Sequence, residues 1–98
     1  MMATLFRAQM SNCSGRWRLF VVLLGVPVSW WPEADWGRSD PVPAPVERDR
    51  ALAELGYKTA PGCCWEWFED SDDPDDPSRP VRLIATVDVL PVQDGGTA

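Results

Sequence analysis

The chain has 98 residues, of which 45% are hydrophobic and 24% charged, with a net charge of −6 and no histidine. That composition fits one small globular domain and argues against a wholly disordered chain, although ten residues are proline. Without histidine, serine–histidine and cysteine–histidine catalysis and any histidine-containing zinc site are excluded.

Residues 4–10 alternate Leu5, Arg7 and Gln9 with Phe6, Ala8 and Met10, the period of a half-buried strand. Asn12-Cys13-Ser14-Gly15 is turn chemistry, with Gly15 free to take a positive φ. Residues 17–24 then predict a second strand and hence a hairpin. Both its faces are apolar, Trp17, Leu19, Val21 and Leu23 on one and Phe20, Val22 and Leu24 on the other. Such a strand is expected to be central and covered on both sides. The apolar run 19–28, broken by Gly25 and Pro27, is shorter than the roughly 20 residues a bilayer span needs. Arg7, Arg16 and Arg18 before it give it some character of a secretory signal, but no small-x-small cleavage site follows, and a buried strand explains it better.

Residues 26–43 read as a loop rich in proline and tryptophan, with Trp30, Trp31 and Trp36 expected to fold back over one sheet face. A helix is predicted over 44–55, with Ala44, Ala51, Leu52 and Leu55 on one side and the Arg48 stem beside them. Pro45 suits its first turn, Glu47 and Asp49 suit its dipole, and Gly56 stops it. After Pro61-Gly62, residues 64–69 predict a strand with Trp65 and Trp67 on one face and Glu66 and Phe68 on the other. An acidic loop over 70–80 leads to a last strand over 81–90, whose apolar row is Val81, Leu83, Ala85, Val87 and Val89. Residues 93–98 are expected to form a disordered tail.

The order β-β-α-β-β predicts an α+β fold, a single domain over 1–92 with a mainly antiparallel four-stranded sheet and one helix packed on one face. One short helix covers only part of such a sheet, at about 1.5 Å of rise per residue. The second face must be covered by the tryptophan loop or by a second copy of the chain.

Charge is unevenly placed: residues 1–60 carry a net +1 and residues 61–98 a net −7. The excess sits in Glu69, Asp70, Asp72, Asp73, Asp75 and Asp76. No basic stripe compensates, so nucleic acid is not an expected partner, and the shortness of the 19–28 run leaves a membrane unexpected as well. The acidic run fails as a calcium loop, because a start at Asp70 puts Pro74 at the fifth position and Asp75 where a glycine is needed. A solvated acidic loop is the plainer reading, and no metal or cofactor is expected. Cys63-Cys64 lack a histidine and have only Lys58 as a nearby positive charge, which favours a buried thiol over a nucleophile. Three cysteines, an odd number, favour reduced thiols in the cytoplasm, with a bridge from Cys13 to Cys63 or Cys64 left open.

Trp17, Trp65 and Trp67 either fill the thin core or form an aromatic partner surface. Candidate partner-binding residues are therefore Trp17, Trp65, Trp67, Asp72, Asp73, Asp75 and Asp76. The function this favours is a small non-enzymatic protein-interaction domain, with an unknown protein partner or a homodimer packed through its sheet. The alternative is a small-molecule-binding or enzymatic domain with a tryptophan-lined pocket using Glu66 or Cys64. A third reading makes the acidic loop a decoy for a basic partner.

Arg7-Ala8-Gln9-Met10-Ser11, Gly15-Arg16-Trp17-Arg18-Leu19, Ala53-Glu54-Leu55-Gly56-Tyr57 and Trp65-Glu66-Trp67 through Asp76-Pro77 resemble short actinobacterial, Streptomyces-type proteins grouped as a domain of unknown function. The resemblance runs from about Phe6 to Val89 and implies a single cytoplasmic domain of actinobacterial origin. It carries over no activity and no functional residue. Trp30-Trp31 and the cysteines lie outside the resembling pattern.

Overall fold

The computed structural model describes residues 5–71 and 73–92, with the backbone alone at Cys13; Asp72 and the expected tail over 93–98 lie outside the described residues. The strands are β1 (Phe6–Cys13), β2 (Arg16–Val22), β3 (Glu33–Asp35), β4 (Tyr57–Thr59), β5 (Glu66–Ser71) and β6 (Val81–Pro91), with the helix α1 (Pro45–Leu55) between β3 and β4. The α+β class and the antiparallel sheet are as expected, but the sheet is six-stranded and curled into a half-barrel, where four strands were predicted.

β1 and β2 close over a two-residue turn, with Cys13 opposite Arg16. Ser14 and Gly15 take φ of 57° and 77°, the conformation a tight hairpin turn needs to match strand twist. β1 is central, paired with β2 on one side and β6 on the other, and the order runs β3-β2-β1-β6-β4. β4 and β5 both lie on the outer edge of β6, β4 against Val89 to Pro91 and β5 against Val81 to Thr86. Between them Pro61, which has no donor, and Gly62, at φ 79°, carry the chain off the sheet edge. β3 and β4 were not predicted, because three residues are too few to show a period.

The core lies on one face of the sheet. Ala8 and Met10, Trp17, Leu19 and Val21, and Ala85, Val87 and Val89 share it and pack with Leu52 of α1. The helical spacing of Arg48, Ala51 and Leu52 gives α1 its buried stripe. Strands β3 and β4 would be about 19 Å apart in a flat sheet of this order, at about 4.8 Å per strand. Both contact α1, so the sheet must curl around it.

The helix start is held from outside. Ala44, at the N-cap, has only a methyl group to offer, but the Glu47 carboxylate accepts the Ala44 N–H at 2.8 Å. Arg38 donates both ways to the same carboxylate at 2.8 Å and, through Nε, to the Pro41 carbonyl at 3.0 Å. This tethers the long proline-rich segment to α1. Gly56, at φ 92°, ends the helix.

The three loop tryptophans do not share one face, contrary to expectation. Trp36 packs beside the core, Trp31 lies against Phe20 on the opposite face with ring centroids 6.1 Å apart, and Trp30 is 72% exposed. The second face of β2 is therefore only partly covered. Leu24, at the end of the apolar run, is 92% exposed. Among the described residues no helix is long and apolar enough to cross a membrane.

Candidate interaction surface

β1 pairs with β6 only from Ile84 onward, so toward the acidic loop β6 has β5 alone as its neighbour. Glu69 to Ser71 and Val81 to Leu83 thus form a two-stranded arm beyond the main sheet, with Phe68 and Ile84 at its root. Cross-strand register places Trp67 with Ala85, Glu69 with Leu83 and Ser71 with Val81 on the core side. Phe68 with Ile84 and Asp70 with Arg82 occupy the other side. The apolar row read in residues 81–89 is real in its facing, but only Ala85, Val87 and Val89 are buried. Val81 and Leu83 are exposed because no element covers the arm.

At the root of the arm a cation is sealed between aromatic rings. The Arg48 guanidinium carbon lies 5.5 Å from the ring centroid of Trp65 and 5.5 Å from that of Trp67. Arg48 is 9% exposed, and its Nε donates to the Pro43 carbonyl at 2.8 Å. Burial lowers its pKa from the ordinary arginine value, while Asp49 works weakly the other way. Trp17 meets Trp67 edge to face, with centroids 6.1 Å apart, and donates through Nε1 to the Ser39 carbonyl at 2.9 Å. Trp67 is held from two directions and still leaves 42% of its surface in solvent.

The structure therefore brings together the three tryptophans singled out from the sequence, in different roles. Trp17 is buried in the core, Trp65 is half-buried against it, and Trp67 is the exposed one. The carboxylates Asp73, Asp75 and Asp76 sit at the far end of the arm, and Asp72 lies outside the described residues. Asp73 accepts the Asp75 N–H at 3.1 Å, while Asp76 accepts the Ser78 N–H at 3.0 Å and its hydroxyl at 2.7 Å. Those bonds from Ser78 hold the Asp76 carboxyl below its usual range. Two of the loop's carboxylates are thus spent on shaping it. Among the described residues no group of three or more histidine, cysteine, aspartate or glutamate side chains could hold a metal ion.

The role of Arg48 was missed by sequence reasoning, which placed only its stem on the apolar stripe. A signal was available. Positions 44, 45, 51 and 52 offer no acidic residue on that helical face, so a buried arginine there needs some other partner.

Two clefts flank the Arg7–Asp88 ion pair on the open sheet face, which closes at 3.3 Å. One, of about 380 Å³, is bordered by Cys63, Cys64, Glu66 and Thr86; the other, of about 510 Å³, is apolar and bordered by Leu5, Phe6, Val22 and Leu24. Cys63 and Cys64 are free thiols, and Cys64 is exposed. No tryptophan lines either cleft.

These features define a small helix-closed antiparallel half-barrel with a projecting aromatic and acidic arm. The chain belongs to a family of unknown function (DUF6303), whose model matches residues 4–97. No curated protein and no solved structure matches it.

Proposed function

We propose that the chain is a small non-enzymatic protein-interaction domain whose β5–β6 arm is its docking surface. The observation that carries this reading is Trp67, fixed beneath by Arg48 and Trp17 and open above, beside the exposed Phe68 and Leu83. A rigid, half-exposed aromatic side chain costs little entropy to bury, which is why such residues dominate binding energy. A homodimer packed through the open sheet face has less support. That face carries Arg7 and Asp88, and Arg18 between Glu33 and Asp35, rather than a continuous apolar surface.

The alternative, a small-molecule or enzymatic domain, has one observation in its favour. The cleft beside the Arg7–Asp88 pair brings Cys64 and Glu66 together. Its walls are polar rather than tryptophan-lined, unlike most small-molecule sites.

The test is co-purification from the source cell with surface variants. Trp67→Ala with Phe68→Ser is expected to lose the proteins that accompany the chain, while Leu24→Ser with Trp30→Ser retains them. Equal retention by both variants contradicts the proposal.

A further inference from the structure

Resting on that reading, we infer that the outer edge of β5 adds a strand from a partner, and that this strand is a basic extended segment rather than a second copy of the chain. β5 runs Glu66-Trp67-Phe68-Glu69-Asp70-Ser71, and among the described residues β6 is its only strand neighbour. Its other edge presents a row of backbone donors and acceptors, the template for strand addition. No proline interrupts the six residues.

Charge selects the occupant. Asp70 is neutralised within the arm by Arg82 at 2.9 Å, but Glu66 and Glu69 have no ion-pair partner among the described residues. Antiparallel pairing of β5 with itself sets Glu66 opposite Asp70, Glu66 opposite Glu69, or Glu69 opposite its own counterpart, according to register. The one register that overlaps all six residues sets Glu66 against Ser71, Trp67 against Asp70 and Phe68 against Glu69. Like charges directly opposite each other destabilise the offset pairings, and the full-overlap pairing sets carboxylates against aromatic rings and gives neither Glu66 nor Glu69 a cation, so a second copy fits the edge poorly. Glu66 and Glu69 instead match lysine or arginine in an incoming strand. Trp67 and Phe68, exposed on opposite faces, match two adjacent β-branched or aromatic residues between those cations. The recognised pattern is basic, apolar, apolar, basic, and it reads alike in both chain directions. Asp73 and Asp75, beyond the strand end, add to the field that draws such a segment in.

The experiment uses the full chain and a blocked octapeptide with a lysine–valine–isoleucine–lysine centre. Two control peptides carry glutamate for both lysines, or proline for the valine. The basic peptide should bind with an affinity that falls as salt rises and should protect β5 backbone amides from hydrogen exchange. Neither control should do so. Glu66→Lys with Glu69→Lys, both at exposed positions, should weaken the basic peptide about tenfold and gain the glutamate peptide. Absence of binding, equal binding of the proline peptide, or protection confined to residues 73–76 overturns strand addition. Any of these results combined with Trp67-dependent co-purification leaves the interaction reading standing, so the two failures are separable.

Discussion

The guanidinium of Arg48 stacks on the indole of Trp67, 5.5 Å from the ring centroid, and so joins the buried stripe of the helix to the exposed root of the β5–β6 arm. Trp65 sits at the same distance from the same carbon. Removing the arginine therefore acts on two rings and on the Pro43 carbonyl together.

Arg48→Ala is expected to destabilise the fold by about 2–4 kcal/mol, from the lost desolvated cation–π contacts and the lost charged hydrogen bond. Arg48→Lys should cost less, because it keeps the charge but not the planar stacking. Urea denaturation of the three proteins, compared by midpoint, measures this. Equal midpoints would mean that the sandwich contributes nothing.

Acid should loosen the anchor of the proline-rich segment. The Ala44 N–H and then Arg38 hold the Glu47 carboxyl below its ordinary value. A depressed folded-state pKa stabilises the fold fully above the unfolded glutamate value of about 4.3 and is lost as pH falls through the lower folded value. The stability gap between the native chain and Glu47→Gln should accordingly be constant near neutrality and shrink below about pH 4. A gap that widens on acidification would contradict the assignment.

Two leucines of one apolar run should behave in opposite ways. Leu19 is fully buried, and Leu19→Ala is expected to cost about 2–5 kcal/mol. Leu24 is exposed, and Leu24→Ala should change stability by less than about 0.5 kcal/mol. Thermal unfolding separates them, since 1 kcal/mol moves the midpoint of a domain this size by about 4–8 °C.

Gly15→Ala should cost about 1–2 kcal/mol for conformational reasons alone. At φ 77° no atom lies within 4 Å of the added methyl, so only the left-handed backbone resists it. Gly15→Asn should cost less, because asparagine tolerates that region. A penalty for asparagine as large as for alanine would point to a cause other than φ.

The elements of the fold that were legible in the sequence are those long enough to display a period. The alternation around Ala8 and Met10, the helical spacing of Ala51, Leu52 and Leu55 with the Arg48 stem, and the row from Val81 to Val89 each placed an element and its facing side, although Ala44, put on the same helix stripe, is exposed. What periodicity lacks is the opposite layer. It assigns Leu83 and Val87 to one face but cannot say that Val87 is buried in the core while Leu83, on the uncovered arm, is exposed. Nor does it show β3 and β4, whose pairing is dictated by the backbone of β2 and β6 rather than by their own side chains. At the candidate site, Trp65 and Trp67 were legible as a pair by their spacing of two. Their shared contact with Arg48, which approaches from a separate element and lies 5.5 Å from both ring centroids, was not.

The docking role of the arm is tested most directly by placing a photo-crosslinking residue in the source cell at Phe68, and in a parallel experiment at Lys58, which is exposed on β4 away from the arm. Docking through the arm gives discrete adducts with another protein from position 68, abolished by Glu66→Lys with Glu69→Lys, and none from position 58. Adducts from position 58 alone, adducts from position 68 to a second copy of the chain, or none from position 68 would contradict it.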